Sequence, residues 1–240
     1  MARQAVVIVA ADMTAIIREE RIGGQRLILG DCLEVMKELG RFDAVVTDPP
    51  YGMKRDGKPP STSSHGGHKG YAFKGWDKSA PPAEVFRSIF AISAEQIIWG
   101  ANFFPQHLRP AMGWLFWDKG QRISQSDGEL AFASRENALR VFTLNRAALA
   151  QDGAVHPTQK PLALMEWCLG FLPNARTILD PFAGSGTTAV ACERMGRQCT
   201  AIEIDPDYFE IMCRRVDEQV RQPRLELPEP LNAAVQEGLF

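Results

Sequence analysis

The stretch VVTDPPYG, residues 45–52, holds an acid and an aromatic ring on stiff backbone. An apolar run suited to a buried strand ends directly before Asp48. Pro49 and Pro50 then restrict the backbone, so Asp48 and Tyr51 have little freedom to move. Such a segment suits chemistry in which a hydrogen-bond acceptor must be aimed before the reaction begins.

A second stretch, LDPFAGSGTTAVA, turns through Gly184 and Gly186 after a predicted strand and then begins a helix. Glycines let the backbone approach a ligand closely, and a helix start offers unpaired N–H groups. Glu203 ends the next apolar run, 19 residues after Gly184. A carboxylate at this spacing suits hydrogen bonds from both ribose hydroxyls of an adenosine.

The sequence of this turn is compared with the motifs that bind different nucleotide ligands. A phosphate-binding loop is disfavoured because the turn lacks the Lys-Ser/Thr pair that holds phosphate charge. Gly184, Gly186 and Ala189 also match a dinucleotide fingerprint, so an NAD-dependent oxidoreductase stays open as an alternative. Asp180 favours another ligand, because a carboxylate here repels a pyrophosphate but binds the ammonium of a methionine-type amino acid. The preferred ligand is S-adenosyl-L-methionine.

Apolar runs and helical patterns alternate along the chain, which predicts an α/β fold with a mostly parallel sheet covered by helices on both faces. The predicted strands lie in RLILGD, DAVVTD, QIIWGAN, GWLFWDK, TILDPFAG and QCTAIEID. The predicted helices lie in CLEVMKEL, PPAEVFRSIFAIS, PLALMEWCLGFL, GTTAVACERMG and PDYFEIMCRRVDEQV.

Ligands of open parallel sheets bind at the carboxyl ends of the strands, so the polar residues found there are candidates. Asp31 could accept from the exocyclic amine of an adenine if its strand neighbours that of Glu203. It is equally suited to be the N-cap of the following helix. Asp205 is interpreted as an N-cap alone, with Pro206 at the first helical position. Asn102 could line the pocket.

The chain has 240 residues, 45% of them hydrophobic, and a formal net charge of -2. This length and composition are enough for one domain with a hydrophobic core. We expect a cytoplasmic protein without a membrane span. The overall charge does not indicate a nucleic-acid partner, but residues 52–80 carry six Lys or Arg against two Asp. Five dispersed cysteines and an isolated His65-x-x-His68 predict neither disulfides nor a metal site.

DPPYG, DPFAGSGTT and HPTQKPLALMEW together resemble the amino-group DNA methyltransferases, which methylate adenine N6 or cytosine N4. The DPPY element precedes the glycine turn, which resembles the permuted order called the beta class. The resemblance implies a Rossmann-like fold, S-adenosyl-L-methionine as cofactor and double-stranded DNA as partner. Relatives in this class form dimers, so a homodimer is possible.

In this resemblance, the Asp48 carboxylate and the main-chain carbonyl of Pro49 accept the N–H groups of the target amine. The stiff Pro49-Pro50 backbone aims both acceptors, and Tyr51 offers its face to a base flipped out of the duplex. Thr158 is interpreted as a helix N-cap near the methionine end of the cofactor, and Lys160 as a partner of the cofactor carboxylate. The remaining implied cofactor contacts are Asp31, Asp180, Phe182, Gly184, Ser185, Gly186, Thr187 and Glu203.

The resemblance also divides the chain, taken as one methyltransferase domain over residues 1–240. A catalytic half at 26–118 carries a long DNA-contact loop at about 53–80, and a short recognition segment follows at about 119–155. The cofactor-binding half spans 156–220, and 221–240 form a peripheral tail. DNA contacts are predicted at Lys54, Arg55, Lys69, Lys74 and Asn102, with a second basic surface from Lys119 to Arg146.

DPPY in this family more often accompanies adenine than cytosine, so adenine N6 is the favoured target. RNA or a protein amide remains an alternative acceptor.

Overall fold

The computed structural model describes residues 14–53, 77–120, 126–145 and 159–222. The strands of these residues form one sheet, with the order β1-β2-β9-β8-β3-β4-β6-β5-β7. In chain order they are β1 (Ile16–Ile22), β2 (Gln25–Gly30), β3 (Phe42–Thr47), β4 (Ser93–Trp99), β5 (Trp114–Asp118), β6 (Gly128–Ala133), β7 (Arg140–Thr143), β8 (Thr177–Asp180) and β9 (Gln198–Glu203).

Helices connect the parallel strands, and all five predicted ones are confirmed. They are α1 (Cys32–Lys37), α2 (Ala83–Ile92), α3 (Leu162–Gly170), α4 (Thr187–Arg194) and α5 (Pro206–Arg221). Two short 3-10 helices, Ala101–Phe103 and Pro105–His107, follow β4. The six predicted strands are confirmed as β2, β3, β4, β5, β8 and β9.

The central strands β2, β9, β8, β3 and β4 are mutually parallel. They are buried on both faces, so neighbouring residues of one strand enter different cores: Leu27 packs on one side and Ile28 on the other. Helices α3, α4 and α5 contribute to the first core, and α1 and α2 to the second. The predicted α/β architecture with helices on both faces is therefore confirmed.

Three strands were not predicted, and two of them lie inside the proposed recognition segment. β6 inserts antiparallel between β4 and β5, and β7 pairs parallel with β5 at the sheet edge. Ala131 and Phe132 of β6 are fully buried. Packing between β4 and β5 therefore stabilises a strand here, although the residues that flank it in the sequence are polar. Strands β6 and β7 therefore extend the sheet, and the assignment of this segment to target recognition stays a prediction.

Several predicted features lie outside the described residues: most of the basic loop, at 54–76, and the tail from 223 onward. Within the described ranges no helix has the length and apolar character to cross a membrane. The same ranges contain no cluster of three or more His, Cys, Asp or Glu placed to hold a metal ion. The five cysteines are all described, and no disulfide joins them.

Replacing Asp205 by Ala tests the N-cap of α5. Its side chain accepts hydrogen bonds from the backbone N–H groups of Asp207 at 2.9 Å and Tyr208 at 3.1 Å, as predicted for an N-cap. We expect the free energy of unfolding to fall by about 1 kcal/mol in urea denaturation. Asp205→Asn keeps an accepting oxygen and should lose less than half as much; equal losses in the two variants would contradict the capping role.

Candidate active site

A cavity of about 440 Å³ opens at the carboxyl ends of the central parallel strands. It lies where the strand order reverses between β8 and β3, the place where open α/β sheets bind ligands. Asp48 and Pro50 of the predicted catalytic motif line it. Eight residues predicted to bind the cofactor line the same cavity: Asp31, Lys160, Asp180, Phe182, Gly184, Ser185, Thr187 and Glu203.

Asp180 is 3% exposed and is held by three donors. The hydroxyls of Thr47 and Thr188 donate to its carboxylate at 2.7 and 2.6 Å, and the backbone N–H of Phe182 donates at 3.1 Å. Burial nevertheless raises the pKa of this carboxyl to about 6, because neutral donors only partly replace water. The two oxygens can accept further bonds, so the predicted contact with an ammonium stays a prediction.

Glu203 ends β9 beside the glycine turn. Its two oxygens accept from the backbone N–H groups of Gly184 and Asp205, each at 2.8 Å. Burial raises the pKa of the Glu203 carboxyl to about 7, although both N–H groups favour the charged form. The Glu203 carboxylate therefore titrates near neutral pH.

The glycine turn itself is shaped by Gly186 and by an arginine that the sequence interpretation missed. Gly186 does not line the cavity: it is the N-cap of α4 at φ 80°, and a Cβ there would lie 2.6 Å from Met212 Cγ. Arg215 of α5 donates to the carbonyl and hydroxyl oxygens of Ser185 at 2.7 and 2.8 Å. Its position in an amphipathic helix gave no signal of this contact.

Asp31 has both properties that were predicted as alternatives. Its carboxylate caps α1 by accepting from the N–H groups of Leu33 at 2.8 Å and Glu34 at 3.3 Å. It also lines the cavity, and its strand is a parallel neighbour of the strand of Glu203, with Leu29 opposite Glu203. The capping role is confirmed, and the contact with an adenine amine stays a prediction.

Asp48 lies in a group of buried charges. The Tyr51 hydroxyl donates to its Oδ1 at 2.5 Å, and the Lys160 ammonium donates to its Oδ2. Lys160 Nζ is also 3.0 Å from Glu129 Oε2, and Glu129 Oε1 is 2.7 Å from Lys119 Nζ. The contact of Lys160 with Glu129 does not have hydrogen-bond geometry, so it is an ion pair without a hydrogen bond.

These contacts shift the pKa values in opposite directions. Burial raises the pKa of Asp48, and the attraction of Lys160 only partly opposes it. Burial also disfavours ionised Glu129, but Lys160 and Lys119 outweigh this effect and hold the Glu129 pKa at about 2. Burial favours neutral Lys160, yet Asp48 and Glu129 together raise its pKa well above the usual range.

Two predictions are corrected by this arrangement. Lys160 was expected to meet the cofactor carboxylate, but its ammonium binds Asp48 and Glu129 because those carboxylates are buried beside it. Lys119 was assigned to a basic DNA-binding surface, but it is only 6% exposed and pairs with Glu129. Arg135 of the same surface pairs with Glu95. Glu129 is a residue of this site that the sequence analysis did not identify.

The ring of Tyr51 is packed from several directions. Phe103 stacks on it with a centroid distance of 4.7 Å and an interplanar angle of 15°, and Phe103 is itself 39% exposed. The face toward Phe103 is thus occupied, and stacking of a base on Tyr51 stays a prediction. Asn102, expected to line the pocket, is exposed and lies outside the cavity lining, because the chain turns at Gly100 and buries Phe104 instead.

Some predicted site residues are outside the described ranges: Lys54, Arg55, Lys69, Lys74 and Thr158. The expected N-cap role of Thr158 is wrong for α3, because Pro161 occupies the N-cap position of that helix.

Comparison with known proteins finds similarity to DNA methyltransferases. The family model of the N6/N4 DNA methylases matches residues 115–214. Type II methyltransferase M.HpaI of Haemophilus parainfluenzae is 24% identical over 241 aligned residues, which cover 81% of this chain and 75% of that protein. Type II methyltransferase M2.DpnII of Streptococcus pneumoniae is 43% identical over 63 residues, 26% of this chain and 24% of that protein. This chain is thus similar to the N6/N4 DNA methylases, through the family model over residues 115–214 and through M.HpaI over most of its length.

Solved structures agree on the fold. The M1.HpyAVI complex with S-adenosyl-L-methionine has a TM-score of 0.53 at 22% identity, covering 80% of this chain and 99% of that one. The cytosine-N4-specific PvuII DNA methyltransferase has a TM-score of 0.54 at 14% identity, covering 83% and 90%. The predicted methyltransferase fold is confirmed, and the NAD-dependent oxidoreductase alternative is set aside.

The titration of Glu203 predicts pH-dependent adenosine binding. Ribose hydroxyls donate to the charged carboxylate, so adenosine affinity should fall as the pH drops through about 7, where Glu203 gains its proton. Calorimetric titrations from pH 8.5 to 5.5 measure this. S-adenosylhomocysteine should show a second loss near pH 6, where Asp180 titrates.

Glu203→Gln is the control for this assignment. It should bind adenosine weakly and without the step near pH 7, while keeping the step near pH 6 for S-adenosylhomocysteine. An unchanged pH profile in Glu203→Gln would contradict the role of Glu203.

Gly100→Ala tests the packing of Tyr51. Gly100 has φ +67°, and a Cβ there would lie 2.0 Å from Tyr51 Cε1, so the ring must move. We expect a loss of roughly 2–4 kcal/mol in the free energy of unfolding. Adenosine affinity should be unchanged in the folded variant, because Gly100 does not line the cavity.

Gly120→Ala is a matched control for Gly100→Ala. Gly120 has a similar φ of +62°, but its added Cβ would meet only Thr143 Cγ2 at 3.8 Å. It should lose roughly 1–2 kcal/mol from the backbone conformation alone. Equal losses in the two variants would show that Tyr51 does not depend on Gly100.

Proposed function

We propose that this chain transfers a methyl group from S-adenosyl-L-methionine to the N6 amine of an adenine flipped out of double-stranded DNA. Similarity to the DNA methylases supports DNA as the acceptor. The cofactor predicted from the glycine turn and Asp180 is confirmed by the family and by the fold. The target base and the roles of individual residues are part of the proposal.

One observation carries the proposal: Asp48 lines the same cavity as Glu203 and the glycine turn. A cofactor bound with its ribose at Glu203 and its methionine end at Asp180 brings its sulfonium toward the start of the DPPY motif. Thr47 links the two ends of this cavity, since it precedes Asp48 and donates to Asp180. The methyl donor and the acceptor of the target amine therefore share one enclosure.

The chemistry of an exocyclic amine explains why Asp48 is needed. The lone pair of such an amine is delocalised into the base ring, so the nitrogen is a poor nucleophile. The Asp48 carboxylate and the Pro49 carbonyl each accept one amine N–H, which aims the lone pair at the methyl group. Asp48 acts as an acceptor and not as a strong base, because the amine becomes very acidic once it carries the methyl group.

The acidic residues of the cavity are assigned to the polar groups of the cofactor. Glu203 accepts from the ribose hydroxyls, Asp31 from the adenine amine and Asp180 from the methionine ammonium. Phe182 packs beside the cofactor, and its backbone is oriented through its bond to Asp180. Lys160 is assigned to Asp48 and not to the cofactor carboxylate.

DNA binding is assigned to the basic segment after Tyr51. Lys54, Arg55, Lys69 and Lys74 neutralise phosphates and offset the few kcal/mol that flipping a base costs. The segment follows the catalytic motif directly in the sequence, which supports its assignment to the DNA around the flipped base. The backbone at Gly52 is held there by Asp77, whose carboxylate accepts from the Gly52 N–H at 2.7 Å.

Adenine is preferred because DPPY more often accompanies adenine in the family that this sequence resembles. Cytosine N4 is the second candidate, supported by the similarity in fold to a cytosine-N4-specific methyltransferase. Both bases offer an exocyclic amine, and the mechanism above is the same for either.

Mass spectrometry of nucleosides tests the proposal. Purified protein, labelled S-adenosyl-L-methionine and unmethylated DNA should yield labelled N6-methyladenine. Asp48→Asn should reduce the rate by roughly 100-fold or more, because the amide is a weaker acceptor of the amine N–H. N4-methylcytosine would overturn the base assignment, and labelled protein or RNA without labelled DNA would overturn the acceptor.

Asp43→Asn is the matched control for Asp48→Asn. Asp43 lies near the opposite end of β3 and accepts from the backbone N–H groups of Arg176 and Thr177, each at 2.8 Å. Its loss should lower stability without changing the rate of methyl transfer at a temperature where the variant is folded. Equal rate losses in both variants would contradict the role of Asp48.

A further inference from the structure

Four charges of alternating sign lead away from the cavity, and of these the two lysines are buried and the two carboxylates are partly exposed. In spatial order they are Asp48, Lys160, Glu129 and Lys119, and each contacts the next. They come from separate parts of the fold: the end of β3, the segment before α3, strand β6 and the end of β5. Only the first two line the cavity, so Glu129 and Lys119 do not contact a ligand bound there.

Glu129 affects how strongly the Lys160 ammonium interacts with Asp48. Without it, the ammonium would interact with Asp48 and the Tyr51 hydroxyl alone. Glu129 draws part of the ammonium charge toward β6 and leaves Asp48 a stronger acceptor for an amine N–H. Lys119, 8% exposed at its side chain, holds the other oxygen of Glu129 at 2.7 Å and fixes the carboxylate in this position.

We propose that Glu129 is a positioning residue for methyl transfer, which acts through Lys160 on the orientation and acceptor strength of Asp48. This inference rests on the proposed function, since it concerns the step in which Asp48 accepts from the target amine. A purely structural salt bridge would stabilise the fold without affecting the chemistry of Asp48.

The charged groups around Asp48 set the direction of the expected effect. Tyr51 and Lys160 contact it directly, Glu129 lies behind Lys160, and Asp180 approaches from β8. Among these, the negative charge of Glu129 raises the pKa of Asp48 and the positive charge of Lys160 lowers it. Removing the Glu129 charge must therefore lower the pKa of Asp48 and weaken it as an acceptor.

Glu129→Gln is the central test. We expect kcat to fall by roughly 10- to 100-fold, with the affinity for S-adenosylhomocysteine and KM for DNA unchanged. The acid limb of the kcat profile should move to lower pH, because Asp48 then ionises more readily. A wild-type kcat, or a reduced kcat with an unmoved acid limb, would overturn the proposal.

Glu95→Gln is the matched control. Glu95 lies on the neighbouring strand β4, pairs with Arg135 at 3.1 Å and has a side-chain exposure of 27%, against 23% for Glu129. It lies outside the cavity lining, so its loss should leave kcat and the acid limb at their wild-type values. The same changes in both variants would show a general effect of broken ion pairs and overturn the proposal.

A charge-balanced variant covers the case in which Glu129→Gln does not fold. Lys119→Met with Glu129→Gln removes one charge of each sign and leaves the pair of Lys160 and Asp48 intact. The proposal expects the same loss of kcat and the same shift of the acid limb. Wild-type kinetics in this double variant would overturn it.

A measurement without turnover separates this proposal from the proposed function. Carbon-13 NMR of labelled aspartate follows the Asp48 carboxyl, assigned by its absence in Asp48→Asn, as the pH changes. Its pKa should be lower in the charge-balanced variant than in the wild type, and an equal pKa would overturn the role of Glu129. Wild-type protein that methylates no DNA would overturn only the proposed function.

Discussion

The site depends on the direct pairing of β3 with β8, which places Asp48 and Asp180 at neighbouring strand ends. Val45 lies opposite Leu179 in this parallel pair, and Thr47 donates to Asp180 at 2.7 Å. The next strand after β3 lies on one side and the next after β8 on the other, so their connections diverge and leave a crevice. A register shift of one residue would turn the side chains at these strand ends to the opposite face.

Burial gives the carboxylates of the cavity different properties. Asp180 and Glu203 are surrounded mainly by neutral donors, and their pKa values rise to about 6 and about 7. Asp48 instead has a buried ammonium beside it, at Lys160. Glu203 and Asp180 are thus suited to gain from a ligand that brings its own donors or positive charge, whereas Asp48 already has a cation beside it.

The errors of the sequence interpretation share one physical cause. Lys160, Lys119 and Glu129 are charged residues whose sequence neighbours suggest solvent, and lone charges of this kind are usually exposed. The two lysines become buried because β6, which was not predicted, brings Glu129 between them. Glu129 pairs with residues 10 and 31 positions away in the sequence, and no local periodicity encodes such a pairing. The same holds for Arg215 of α5, which donates to the Ser185 carbonyl of the glycine turn, 30 positions earlier in the sequence.

The sequence by itself determined the alternation of strands and helices, the two motifs with their carboxylates, and the N-caps at Asp31 and Asp205. These features are local: apolar period, turn residues and helix-start residues act within a few positions. Only the tertiary structure decided that Asp48 is paired with Lys160, that Lys119 is buried, that Phe103 covers Tyr51 and that Asn102 faces away from the cavity. Burial and charge pairing depend on which strands become neighbours, and that is settled by packing of the whole sheet.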